Sequence, residues 1–119
     1  MDTSTIIIIS LLIGFFVWRL IPVKGVRNIS TFQLKDELND KNKQFIDVRT
    51  LNEFKGRSIK GFKNIPLDQL ATKAMSLSKD KEVVVICQSG MRSSRAAKML
   101  KGLGFKQITN VKGGMSAWN

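Results

Sequence analysis

Residues 82–86 read Glu-Val-Val-Val-Ile, an apolar run that does not alternate with polar residues. A strand with one wet face alternates, whereas a strand buried on both faces reads as a continuous apolar stretch. Burial on both faces is the condition of a strand inside a parallel sheet, and parallel neighbours must be joined by crossover segments, usually helices. This run therefore constrains the chain toward alternating strands and helices.

The rest of the chain reads the same way. Val26–Ile29 predicts a brief first strand. Ser30-Thr31-Phe32-Gln33 has the form of a capping box, followed by a helical stripe of Phe32, Leu34 and Leu38 up to Asn39. Gln44–Val48 predicts a strand, Leu51–Phe54 a helical turn closed by Gly56, and Gly61–Pro66 an irregular or briefly extended piece. Leu67–Met75 predicts a helix with Leu70, Ala71 and Ala74 inward. A further helix follows Cys87 and ends at Gly102 or Gly104, Gln107–Asn110 predicts the last strand, and Gly113–Trp118 a closing turn. The alternation implies a parallel sheet with helices on both faces, whose ligand sites lie at the carboxyl ends of the strands.

The first segment is of another kind. Residues 6–18 (IIIISLLIGFFVW) carry no charge, and Leu20, Ile21, Pro22 and Val23 follow Arg19. A helix of about 18 residues rises about 27 Å, enough to cross the hydrocarbon of a bilayer. Trp18 and Arg19 suit its interface. A signal peptide fits less well, because no basic residue precedes the run and no small-residue cleavage pattern follows it; a short buried core helix is the other reading. Residues 1–23 are thus expected to form a transmembrane anchor and residues 24–119 a single domain, with Lys24-Gly25 as linker. Arg19, Lys24 and Arg27 on the far flank predict that this domain lies on the cytoplasmic side of the cell membrane.

At the carboxyl end of the apolar run stands the chain's only cysteine, in Cys87-Gln88-Ser89-Gly90-Met91-Arg92-Ser93-Ser94. There is no histidine and no tyrosine, which excludes Cys-His and Ser-His catalysis and His-ligated metals; one cysteine makes neither an internal disulfide nor a Cys-rich zinc site. A loop between a strand and a helix turns several N–H groups into one bowl, and the helix dipole adds partial positive charge. Gly90 permits a positive φ, Ser93 or Ser94 can cap the helix, and Arg92 sets a cation beside the bowl. These features favour thiolate, the nucleophilic form, at Cys87. A lone cysteine is ordinarily a packed core residue; its position at the functional end of the sheet argues otherwise here.

These residues resemble the rhodanese family of single-domain sulfurtransferases. Asp47-Val48-Arg49 followed by Glu53-Phe54, Gly56 to Pro66 (GRSIKGFKNIP), Cys87 to Ser93 and Gly113–Trp118 (GGMSAW) resemble the family's spaced motifs in their order, over nearly all of residues 28–119. Ser58 stands where the family usually has histidine and Phe62 where it usually has alanine, which implies altered packing. The resemblance implies a rhodanese-like α/β fold with a central, mostly parallel five-stranded sheet, and a ping-pong reaction. Cys87 takes a sulfane sulfur from a small anionic donor such as thiosulfate as a persulfide. Gln88, Ser89, Gly90, Met91 and Arg92 cradle it, and a thiol acceptor, which can be a protein, removes it. No cofactor or metal is implied. Asp47, Arg49 and Glu53 are read as structural, with an Arg49–Glu53 pair at i, i+4. Arg57 and Lys60 are either solvated or attract the donor.

Three rivals are weighed against this reading. Phosphatases of related fold use a loop one residue longer between cysteine and arginine; here four residues, Gln88 to Met91, intervene, and the smaller bowl suits one sulfur atom. A non-turnover adaptor or sulfur-carrier module for a protein partner is the alternative function. Nucleic-acid binding would follow from the net charge of +11 alone, but the lysines are spread singly and no basic-aromatic stripe exists; no nucleic-acid partner is expected, and the chain is expected to be a monomer.

Overall fold

A computed structural model describes residues 2–20 and 25–119 of the chain. Its strands are β1 (Val26–Ile29), β2 (Lys43–Asp47), β3 (Lys63–Asn64), β4 (Glu82–Ile86) and β5 (Ile108–Val111); its α-helices are α1 (Thr3–Leu20), α2 (Thr31–Glu37), α3 (Leu51–Gly56), α4 (Leu67–Lys73) and α5 (Met91–Gly102). The five strands form one sheet in the order β1-β5-β4-β2-β3, and every pairing is parallel. The irregular Gly61–Pro66 stretch contributes the edge strand β3, too short to show a pattern of its own.

The central strand β4 explains its own sequence. Val83 and Val85 join a cluster with Leu70, Ala97 and Leu100 on one face of the sheet. Val84 and Ile86 join Ile29, Leu34, Phe45 and Met115 on the other. Side chains still alternate between faces, but both faces are dry, so the sequence shows no alternation. Phe62 fills the second cluster, its ring centroid 5.3 Å from that of Phe45. The capping box forms as expected, Gln33 N–H donating to Ser30 Oγ at 3.1 Å and Ser30 N–H to Gln33 Oε1 at 2.9 Å.

Three expectations need correction. Phe32 is 77% exposed and Ala71 is exposed, so α2 buries only Leu34 and α4 only Leu70. Each of these helices has 7 residues, so each turns one narrow stripe to the sheet. The expected transmembrane anchor is not supported: α1 forms over the apolar segment, with Ile8, Leu11 and Phe16 exposed, but among the described residues no helix is long and apolar enough to cross a membrane. The expected boundary at residues 23 and 24 and the Lys24 linker lie outside the described residues, as do the side chains of Trp18 and Arg19.

Leu100 is fully enclosed between α5 and the sheet, while Phe32 faces water. Leu100→Ala is expected to cost about 2–5 kcal/mol of unfolding free energy and Phe32→Ala about 0.5 kcal/mol or less, measured by urea denaturation followed by circular dichroism.

Candidate active site

Cys87 follows directly on β4, the strand flanked by β5 and β2. The residue is 0% exposed, below a loop whose Ser89 and Met91 face solvent. Gly90 adopts φ +103°, a left-handed conformation open to glycine, and acts as the N-cap of α5. That turn brings the Gly90 N–H to 2.9 Å from Cys87 Sγ, and Ser93 Oγ lies 3.4 Å from the same sulfur. Burial pushes the Cys87 thiol up, but hydrogen bonding with the Ser93 side chain and with the Ser93, Gly90 and Ser89 amides outweighs it, so the thiol pKa is lowered.

The helix begins earlier than the sequence suggested. α5 starts at Met91, and neither Ser93 nor Ser94 caps it; their hydroxyls donate back to the Gly90 carbonyl at 3.1 and 2.8 Å. Arg92 therefore sits in the first helical turn. Its guanidinium does not lie free beside the thiol: Nη1 and Nη2 donate to the two carboxylate oxygens of Glu53 at 2.6 and 2.8 Å. Glu53 also accepts from the Thr50 N–H at 3.1 Å in the capping box of α3. Chiefly through the bonds from Arg92, the Glu53 carboxyl is held at about 2.

Arg49 consequently has another partner than the expected Glu53 carboxylate. Its Nε and Nη2 donate to the buried Asp47 carboxylate at 2.8–3.1 Å, Nη2 reaches the Arg57 carbonyl at 2.6 Å, and Nη1 touches the Glu53 carbonyl and Gln88 Oε1 at 3.4 Å. Asn64, on the edge strand, adds bonds to the Asp47 and Arg49 carbonyls at 3.0 and 2.9 Å. Arg57 itself is bound to the Trp118 carbonyl at 2.5 Å, and Lys60 is exposed.

The closing segment buttresses the loop from the other side. Met115 N–H donates to the Cys87 carbonyl at 2.8 Å and Ser116 N–H to the Gln88 carbonyl at 2.9 Å, while Gln88 Nε2 reaches Ser116 Oγ at 3.2 Å. Gly114 makes this approach possible: at its φ of +53°, an added Cβ would lie 2.1 Å from the Cys87 carbonyl oxygen. Of the expected cradle residues, Gly90 touches the sulfur, Ser89 turns its amide toward it, Gln88 ties the loop to the closing turn, and Met91 points outward at 75% exposure. Ser93 is an addition that the sequence reading offered only as a helix cap. Its position on the buried side of α5, two residues into the helix from Met91, follows once the helix start is known.

A family model described as the rhodanese-like domain matches residues 30–119. Among curated proteins, the chain is 47% identical over 75 residues to the uncharacterized protein YqhL of Bacillus subtilis, covering 63% of this chain and 60% of that one. It is 42% identical over 94 residues to the putative sulfurtransferase YtwF of the same organism, covering 78% of this chain and 90% of the relative. The chain thus spans less than two thirds of the first relative and most of the second. Among solved structures, a rhodanese-like domain protein from Staphylococcus aureus superposes with a TM-score of 0.72 at 34% identity, covering 78% of this chain and 91% of that one.

Two outcomes are expected from this geometry. Gly114→Ala lowers the thermal midpoint and slows reaction of Cys87 with a thiol reagent, because the new Cβ displaces the Cys87 carbonyl; an unchanged melting curve and rate would refute the buttress. Because the Glu53 pKa is depressed in the folded state, its contribution to stability is complete above its ordinary value of 4.5 and is lost as pH falls toward about 2. Acid unfolding followed by fluorescence should show that loss over this window, and Glu53→Gln should remove it.

Proposed function

The chain belongs to the rhodanese-like domain family, and on that premise we propose that it is a sulfurtransferase acting through a Cys87 persulfide. The observation that carries this reading is the Gly90 N–H at 2.9 Å from Cys87 Sγ, on a thiol whose pKa is lowered. The Cys87 thiolate attacks the sulfane sulfur of a donor such as thiosulfate. The donor's S–S bond breaks, sulfite leaves with the electron pair, and Cys87 carries the sulfur as a persulfide anion. An acceptor thiolate then attacks the outer sulfur and releases the Cys87 thiolate. With the loop closed, the amides that lower the thiol pKa face the negative charge that the persulfide carries. Gln88, Ser89, Gly90, Met91 and Arg92 form the rim through which a donor meets the enclosed thiol, and its approach requires this loop to open.

A second proposal concerns location: that the chain lies at the cell membrane with its domain on the cytoplasmic side. The exposed Ile8, Leu11 and Phe16 of α1 and the net charge of +11 favour contact with an anionic lipid surface. Sedimentation of the full chain with phosphatidylserine-containing vesicles tests it; recovery wholly in the supernatant overturns it.

Sulfur transfer is tested by mass spectrometry after exposure to a sulfane donor. The expected product is a gain of about 32 Da on Cys87. Cys87→Ser should lose both adduct and turnover while keeping the same circular dichroism spectrum. Since Cys87 is the only cysteine, ultraviolet titration of thiolate should report a pKa below the ordinary value of about 8.5. No adduct together with an ordinary pKa would favour an adaptor role instead.

A further inference from the structure

Near the thiol the chain's surplus of positive charge disappears. Arg92 is engaged by Glu53 through both terminal nitrogens, and Arg49 by Asp47. Asp68, on the first turn of α4, lines the cavity that Arg92 also borders. Three guanidiniums, of Arg49, Arg57 and Arg92, are therefore balanced by three carboxylates, of Asp47, Glu53 and Asp68, in a chain of net charge +11. The positive potential at the sulfur comes from the Ser89, Gly90 and Ser93 amides and from Arg92, whose terminal nitrogens are both held by Glu53. These dipoles suit one negative sulfur atom, but they are no substitute for a free cation when a dianion must approach.

The adjoining cavity has a matching character. It is an open depression of about 280 Å³ reached from the loop at Arg92, walled by Val48, Pro66 and Leu67, with Thr50 and Asp68 beside Arg92 at its polar side. Apolar walls hold an organic group and do nothing for the sulfonate end of an inorganic oxyanion.

Resting on the sulfur-transfer reading, we infer that Glu53 sets the charge class of the donor. By occupying Arg92 it selects monoanionic organic sulfane donors, whose unreactive group enters the cavity walled by Val48, Pro66 and Leu67, over inorganic dianions such as thiosulfate. With a thiosulfonate, the Cys87 thiolate attacks the terminal sulfur, the S–S bond breaks, and the electron pair leaves with the sulfinate. The products are one sulfinate anion and the Cys87 persulfide anion.

The test compares kcat/KM for thiosulfate and benzenethiosulfonate on the full chain with a common thiol acceptor. The wild-type chain should prefer benzenethiosulfonate. Glu53→Gln keeps an amide oxygen for the capping contact with Thr50 and leaves Arg92 without its counter-charge. The ratio of thiosulfate to benzenethiosulfonate kcat/KM should then rise about tenfold, the size expected for one unit charge at close range in a partly exposed site. A purely structural role would lower both donors together and leave the ratio in place. A wild-type preference for thiosulfate, or a ratio that does not rise in Glu53→Gln, overturns the assignment. Should that variant not fold, Asp68→Asn must raise the ratio in the same direction, and no rise overturns the assignment. If neither donor loads Cys87, sulfur transfer fails and this inference with it; loading by both donors with an unaltered ratio sinks the Glu53 assignment alone.

Discussion

The buried guanidinium of Arg49 is the contact on which the arrangement of the site depends. It is held by Asp47 at the end of β2 and reaches the Arg57 and Glu53 carbonyls after and within α3, and Gln88 in the loop after β4. Removing one partner of a buried pair leaves an uncompensated charge, which costs far more than the pair contributes in net terms. Arg49 is thus better understood as fixing a unique arrangement than as adding stability. Its forked donors are satisfied together only when Asp47, the segment of Glu53 and Arg57, and Gln88, 39 residues away, take one relative position. With Arg49 engaged by Asp47, the Glu53 carboxylate is left to reach across to Arg92.

On the opposite side, the closing turn does for the loop backbone what Arg49 does for its side chains. Two successive amides, of Met115 and Ser116, bind two successive carbonyls, of Cys87 and Gln88. The Gln88 carbonyl, drawn away on one side, directs the Ser89 amide of the same peptide unit to the other, where the sulfur lies. Lys35 stacks over the Trp118 ring at 5.4 Å, and Arg57 holds the Trp118 carbonyl, so the buttress is itself anchored to α2 and to the segment after α3. The lowered thiol pKa is therefore a product of the whole upper edge of the sheet.

Charge is distributed unevenly over this framework. At the amino-terminal end of the sheet, Arg27 bridges Glu37 and Glu82 at 2.5 and 3.2 Å, and Lys43 joins the same two carboxylates. At the carboxyl end each buried or half-buried guanidinium is matched. Exposed lysines such as Lys60 and Lys98 act on long-range attraction and solubility. Net charge, visible from composition, is a poor guide to the potential that a substrate meets at Cys87.

The sequence by itself determined the alternation of strands and helices, the central place of Glu82–Ile86, the Ser30–Gln33 capping box and the family motifs, because each depends on local periodicity or on neighbours a few residues away. It misjudged Phe32 and Ala71, because a helix of two turns offers several faces and only packing selects one. It led to an expected membrane span from an apolar run, although among the described residues no helix is long and apolar enough to cross a membrane. It also paired Arg49 with Glu53, since i, i+4 spacing is the nearest solution along one helix. The tertiary structure alone decided that Glu53 meets Arg92 across 39 residues and that Met115 meets Cys87. The reason is physical: short-range preferences are written in adjacent residues, whereas the partner of a charge or a carbonyl is set by which strands lie side by side, and that order follows from packing both faces of the sheet at once.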